Sequence, residues 1–315
     1  MVQPRPLTGS SSVRPGEAAA SPSRAGQVPR GERQILRLCI LSTSAARGPG
    51  GEVDWESTAA EQRRLAGLGF GLALGLETGE RATLGWDGLR ELAKRAGKLG
   101  LAQGFVAGAG SEQAGNAPTI GDQIDCIVQQ AAAIEEAGGV PVLLPLPALS
   151  RRRAREDEYV EVYRTLLARI GGPVLLDWTG PRERPELLDY FPGKSFERVM
   201  ALDPAKVRGA RFALFDVARE ARVRRELLAR DQLLFSADRA HIAHLLLGAN
   251  PGMVAERVPE PLRFTEFAGR AVALGEFSHA LFSVAAGRAE ELAAALERLG
   301  ADDLAGYLER MPALG

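Results

Sequence analysis

The repeat that decides the fold is clearest between residues 140 and 178. It consists of the apolar run VPVLLPL (140–146), an amphipathic stretch at 159–170 and a second apolar run, PVLLDW (173–178). Continuous apolar runs of this length are typical of parallel strands buried on both faces, and apolar side chains at three- and four-residue spacing are typical of a covering helix. This stretch therefore predicts one strand–helix–strand unit.

The same alternation extends in both directions from this unit. Further amphipathic stretches lie at 86–98, 120–137, 217–230 and 289–299. A doubly wound open sheet is the rival architecture, but no GxGxxG opens a helix, and GAGSEQAG (108–115) has the wrong glycine spacing. Eight strands instead favour a closed (β/α)8 TIM barrel. The predicted strands are residues 35–42, 70–76, 101–109, 140–146, 173–178, 207–215, 232–237 and 279–284.

The chain divides into a short polar segment and one barrel domain. Residues 1–34 are rich in Pro, Gly, Ser and Arg and contain almost no large apolar side chain. Such a segment cannot bury enough surface to offset the entropy of ordering, so we predict a disordered tail. Residues 35–315 have the length that α/β barrels fill as a single domain.

Charge and cysteine content narrow the classes of partner and compartment. The formal net charge is -1, so no general attraction to nucleic acid or anionic lipid is expected. No apolar run reaches the length of about 18 residues that spans a membrane. The two cysteines, Cys39 and Cys126, have neither CxxC spacing nor a disulfide framework. We interpret both as small buried apolar residues of a soluble, cytoplasmic protein, and the sequence leaves a homo-oligomer open.

The active site of a (β/α)8 barrel forms at the carboxyl ends of its strands, which selects the candidate residues. Carboxylates, one arginine and one histidine would meet there, enough for acid–base chemistry or for holding a divalent ion. The candidate catalytic residues are Arg211, Asp177 and Asp238. The candidate substrate-binding residues are Glu77, Thr78, Ser111, Glu112, Ser236 and His279, with Trp178 and Glu276 beside them.

Each of these residues also has a structural interpretation. A carboxylate at a strand–helix junction often caps the helix. Arg211 lies among apolar residues, so it needs a charged partner whether its role is structural or functional. His241 and His244 lack a third ligand at suitable spacing, and we interpret them as packing and surface residues. The sequence requires no cofactor, although a divalent metal stays open.

Three stretches carry a resemblance to a known family. They are residues 53–95 with FVAGAGSEQ (105–113), PVLLDWTG (173–180), and KVRGARFALFDVAREARVRREL (206–227). Together they resemble an uncharacterised branch of the dihydrodipicolinate synthase and N-acetylneuraminate lyase family, over most of the chain after residue 35. The resemblance implies a barrel that acts on a small oxo acid through a Schiff-base lysine at the end of the sixth strand.

The resemblance breaks at that lysine. Relatives read Lys-Val-Asp-Gly-Ile-Lys where this chain reads KVRGAR, so the Schiff-base position falls on Arg211. A guanidinium stays protonated and cannot condense with a ketone. The four lysines of the chain do not replace it by position, because Lys206 belongs at the amino end of the barrel, and Lys94, Lys98 and Lys194 lie in a helix or a loop. The Thr-Gly-Asp-Asp of relatives after strand 7 also reads Ser-Ala-Asp-Arg (236–239) here.

Two functions remain open. The first is a lyase or aldolase that acts on a small oxo acid without a covalent intermediate, with Arg211 holding the carboxylate or the enolate oxygen. In that case Glu77, Glu112, Asp177 or Asp238 supplies a base or metal contacts. The second is a catalytically inactive relative kept as a binding or assembly protein, since fold does not imply activity.

Overall fold

The structure of the chain is a computed structural model that describes residues 39–115, 118–246, 278–301 and 303–311. The predicted tail at 1–34, the first four residues of the predicted first strand and Glu276 lie outside these residues. No helix among the described residues is both long enough and apolar enough to cross a membrane.

Eight parallel strands pair in chain order, and the first also pairs with the eighth, so the sheet closes into a barrel. The predicted (β/α)8 fold is confirmed. Each predicted strand overlaps an observed one. The strands are β1 (Cys39–Thr43), β2 (Gly71–Leu74), β3 (Phe105–Ala109), β4 (Val140–Leu143), β5 (Val174–Thr179), β6 (Val207–Ala213), β7 (Leu233–Ser236) and β8 (His279–Phe282).

Helices cover the outside of the barrel. The predicted helix at 86–98 is the second half of a longer one that begins at Thr78 and passes through a kink at Gly85, whose φ of 61° favours glycine. The described helices are α1 (Trp55–Gly67), α2 (Thr78–Lys98), α3 (Ile120–Glu136), α4 (Pro147–Arg151), α5 (Glu156–Arg169), α6 (Ser195–Met200), α7 (Val217–Leu228), α8 (Ile242–Leu246), α9 (Ala286–Gly300) and α10 (Leu304–Arg310).

The apolar side chains form two separate layers. The larger lies between the strands and the helices and includes the fully buried Trp178, which packs against Phe196 with ring centroids 4.3 Å apart. The smaller fills the inside of the barrel and contains Val142, Leu175 and Phe235. Because side chains alternate between the two faces of a strand, the outward Trp178 leaves its neighbours Asp177 and Thr179 on the inside.

Candidate functional site

Arg211 of β6 forms a buried ion pair with Asp177 of β5 at the carboxyl end of the barrel, which we call the mouth. The two residues are direct partners in the strand register, and both are less than 9% exposed. The Arg211 Nη1 donates to Asp177 Oδ1 and to Thr179 Oγ1, each at 3.0 Å. Thr179 Oγ1 donates in turn to Asp177 Oδ2 at 2.6 Å. Three strand residues therefore lock one side of the guanidinium.

A second carboxylate reaches the same guanidinium from the loop after β5. The Arg211 Nη2 contacts Glu183 Oε2 at 3.4 Å, and the Glu183 side chain is 36% exposed against 4% for Asp177. Burial raises the pKa of Glu183, and the charges of Asp177 and Glu77 add to this, although Arg211 opposes them. Sequence reasoning missed Glu183, but its place in a loop at the carboxyl end of a strand is the signal that could have found it.

Glu77 adds a third carboxylate to this group. It stands at the N-cap position of α2 without capping the helix through its side chain, and it accepts a hydrogen bond of 3.4 Å from Ser283 Oγ after β8. It is close enough to interact electrostatically with Arg211 and Glu183. We call the five residues Arg211, Asp177, Thr179, Glu183 and Glu77 the mouth cluster.

The Arg211 side chain is permanently charged, and not all of its N–H groups donate a hydrogen bond to the described residues. Burial works against its charge, but Asp177 and Glu183 outweigh that effect and raise the pKa of Arg211 above its ordinary value. Its Nε is buried and has no hydrogen-bond partner among the described residues. Nε and Nη2 form the edge of a guanidinium that matches two ligand oxygens, so the mouth cluster can accept an anionic group.

No lysine of the chain joins the mouth cluster in the structure. Lys206 lies at the amino end of the barrel, where its Nζ donates to the carbonyls of Leu167 and Ile170 at 2.8 and 2.9 Å. Lys94 and Lys98 lie in the second half of α2, and Lys194 is exposed just before α6. All four lysines are among the described residues, so the mouth cluster has no amine of its own.

Glu112 is paired with the buried Arg81 and not with Arg211. Arg81 is 2% exposed, and its Nε and Nη2 donate to the two Glu112 carboxylate oxygens at 2.9 and 2.7 Å. Burial alone would raise the pKa of Glu112, but the bonds from Arg81 overcome it and lower that pKa. Arg81 also donates to the carbonyls of Gly75 and Gly108 and to Gln130 Oε1. This network ties β2, β3 and α3 together.

The strand 7 candidates face other partners. Ser236 Oγ donates at 3.0 Å to Glu220 Oε2 of α7, on the outer side of the sheet. Glu220 is fully buried and also accepts from Ser278 Oγ at 2.8 Å. Burial raises the pKa of Glu220 to about 7 against these hydrogen bonds. Asp238 accepts from the amide of Ala240 and contacts His241 Nδ1 at 2.8 Å, so it orders the turn after β7.

The remaining candidates are His279, Thr78 and Ser111. His279 begins β8 inside the barrel, where its ring lies 5.2 Å from that of Phe235 and burial lowers its pKa to about 4. Thr78 is exposed at the start of α2, and Ser111 is buried after β3. Within the described residues no group of three His, Cys, Asp or Glu side chains is arranged to hold a metal ion.

Solved structures of other proteins share this fold. Dihydrodipicolinate synthase from Thermotoga maritima is 15% identical, with a TM-score of 0.62 over 88% of this chain and 80% of its own. The enzyme from Aquifex aeolicus is 15% identical, with a TM-score of 0.61 over 88% and 79%. YagE, a prophage protein of the same family from E. coli K12 solved in complex with pyruvate, is 13% identical, with a TM-score of 0.62 over 88% and 80%. Identities this low establish the shared fold alone, and at that level the predicted resemblance is confirmed.

Sequence comparison places the chain in a family directly. No curated protein matches it in sequence. The family model described as "Protein of unknown function (DUF993)" matches residues 40–313, which include every strand and helix described above except the first residue of β1. The chain therefore belongs to the DUF993 family, and it has the (β/α)8 barrel fold that the dihydrodipicolinate synthases share.

Proposed function

We propose that the chain is a carbon–carbon lyase or aldolase that binds a small oxo acid at the mouth cluster and works without a Schiff base. The observation that carries the proposal is the position of Arg211, a buried cation inside the carboxyl end of the barrel with carboxylates of two different exposures beside it. The fold shared with dihydrodipicolinate synthases supports the reaction class by analogy. The missing amine argues against an imine route.

Arg211 supplies the binding group for the oxo acid. A 2-oxo acid presents a carboxylate oxygen and the neighbouring C2 oxygen on one side, and the edge formed by Nε and Nη2 matches such a pair. Among the described residues, Nη2 contacts Glu183 alone, at 3.4 Å, while Nη1 donates to Asp177 and Thr179. Asp177 therefore orients the guanidinium, and the ligand binds at the opposite edge.

The same residues suit the cleavage of a 4-hydroxy-2-oxo acid. A carboxylate accepts the proton of the 4-hydroxyl, the bond between C3 and C4 breaks, an aldehyde leaves, and the electron pair moves to the C2 oxygen as an enolate. Arg211 stabilises that oxyanion in a site of low polarity. The carboxyl group then returns its proton to C3. Glu183 fits this role because it is the more exposed of the two carboxylates on Arg211 and its pKa is raised above the ordinary value.

Reductive trapping tests the proposal. Wild-type protein treated with pyruvate and borohydride should gain no mass on any lysine, because the guanidinium of Arg211 does not form an imine. Arg211→Lys introduces an amine at the same point of β6 and should be labelled at residue 211. Pyruvate binding to the wild type is measured by titration calorimetry, with and without Mg²⁺. Labelling of wild-type protein would contradict the proposed mechanism.

A catalytically inactive binding protein is the second candidate. The observation that favours it is the set of hydrogen bonds that joins Arg211 to Asp177 and Thr179. A purely structural buried ion pair needs the same hydrogen bonds. This candidate predicts that the wild type releases no aldehyde from a 4-hydroxy-2-oxo acid, whereas the first candidate predicts release that is lost in Arg211→Met.

A further inference from the structure

We infer that Glu183 occupies the ligand position on Arg211 and is displaced when a carboxylate ligand binds. This inference rests on the proposed function, because it assumes that the mouth cluster binds an oxo acid. It adds an internal competitor to the site, and it limits the ligands to anions that can replace a carboxylate.

The two carboxylates on Arg211 differ in the way that such an exchange requires. Asp177 belongs to a strand, lies 3.0 Å from Nη1 and is 4% exposed. Glu183 belongs to a loop, lies 3.4 Å from Nη2 and is 36% exposed. A long ion pair with one exposed partner contributes less to stability than a short pair in which both partners are buried, and breaking the buried pair is strongly destabilising. Asp177 is thus the permanent partner of Arg211, and Glu183 is the partner that can leave.

An incoming ligand can make a contact that Glu183 does not make. Glu183 reaches Nη2 alone, while Nε is buried and has no hydrogen-bond partner among the described residues. A buried donor without a partner costs free energy. A ligand that accepts hydrogen bonds from both Nε and Nη2 therefore gains the bond from Nε that Glu183 does not make. Solvent does not reach Nε in this arrangement, so a ligand reaches it only after a neighbouring side chain moves, and Glu183 is the exposed side chain on the adjacent Nη2.

Local charge leads to the same conclusion. Asp177, Glu183 and Glu77 surround one arginine, so three carboxylates face one cation. A further anion would be repelled unless one of these carboxylates moves away or takes up a proton. Glu183 interacts electrostatically with Arg211 on β6, Asp177 on β5 and Glu77 at the start of α2, and its raised pKa favours proton uptake.

The loop that carries Glu183 is anchored on both sides of it. The amides of Glu183 and Arg184 both donate to the carbonyl of Gly180, at 3.2 and 3.0 Å. The Arg182 guanidinium stacks over the Phe215 ring at 4.8 Å, and Arg184 pairs with Glu186 at 2.7 Å. These contacts hold the loop in place, so the displacement is a rotation of the Glu183 side chain.

Glu183→Gln tests the exchange, with pyruvate as the probe in titration calorimetry at about pH 5, just above the ordinary pKa of a glutamate, and at about pH 8. The variant removes the competing charge, so we expect it to bind pyruvate about tenfold more tightly than wild type at pH 8, which corresponds to one charge-assisted contact. The wild type should bind more weakly at pH 8 than at pH 5, because the raised pKa of Glu183 favours its protonated form at the lower pH, and the variant should show no such difference. Glu183→Ala should shift affinity in the same direction.

Glu186→Gln is the matched control, since Glu186 lies in the same loop, is 43% exposed and pairs with Arg184 rather than Arg211. It should bind pyruvate as the wild type does. If the wild type binds pyruvate and Glu183→Gln binds no more tightly, the exchange is refuted while the proposed function stands. If neither the wild type nor Glu183→Gln binds, both the proposed function and the exchange are refuted.

Discussion

Replacing Arg81 with methionine should destabilise the barrel more than any exposed arginine would. Arg81 is 2% exposed and donates to five acceptor atoms within 3.0 Å, which come from Gly75, Gly108, Gln130 and both oxygens of Glu112. Methionine keeps most of the aliphatic packing but removes every donor. The change leaves the acceptors of three structural elements without their common partner.

The size of the loss follows from the exposure of each partner. Breaking a buried ion pair costs about 3–5 kcal/mol. The Glu112 side chain is 39% exposed, so water can solvate its carboxylate once Arg81 is gone. The buried acceptors of Gly108 and Gln130 have less access to water. We therefore expect a loss at the lower end of this range, a decrease of about 3 kcal/mol in the free energy of unfolding.

Urea unfolding, followed by circular dichroism and tryptophan fluorescence, measures the effect. Arg90→Met is the matched control, because Arg90 lies on the same helix and pairs with Asp87 while the two side chains are 60% and 90% exposed. This control should lose less than about 0.5 kcal/mol. Equal losses in the two variants, or a loss below about 1 kcal/mol for Arg81→Met, would show that the Arg81 network does not stabilise the barrel.

Two further predictions concern the packing around the site. Gly108→Ala places a Cβ 2.3 Å from the Gly75 carbonyl oxygen and 3.0 Å from Arg81 Nη1, so it should lower the thermal midpoint by several degrees. Gly79→Ala is the control, because a Cβ at Gly79 meets nothing within 4 Å, and it should leave the thermal midpoint unchanged. The Glu220 carboxyl has a pKa of about 7 in the folded protein, against an ordinary value of 4.5. Protonated Glu220 therefore stabilises the fold at acid pH, by up to about 3 kcal/mol. This stabilisation is lost as the pH rises through about 7. Glu220→Gln imitates the protonated form and should remove that part of the pH dependence in unfolding experiments from pH 5 to 8; an unchanged slope would mean that Glu220 is ionised in the folded protein throughout.

The glycine-rich stretch after β3 shows why the site was only partly predictable from the sequence. GAGSEQ (108–113) lies at the mouth as the strand pattern indicates, but Gly108 is needed because the Gly75 carbonyl and Arg81 approach it closely. By its position in the sequence Glu112 is predicted to bind a substrate, but in the structure it is paired with Arg81, 31 residues away in the chain. Periodicity tells which face of an element a residue occupies, and it carries no information about partners on other elements.

The sequence by itself determined the class of fold and one chemical fact about the site. The spacing of apolar residues is a local property of each strand and helix, so eight runs with helical stretches between them were enough to predict the barrel. The sequence also shows directly that residue 211 is an arginine, and a guanidinium cannot act as an amine in any surroundings. Only the tertiary structure decided what surrounds Arg211, since Asp177 and Glu183 lie 34 and 28 residues away in the chain. Ion pairs depend on distance and burial, and both arise only when the strands close into the barrel.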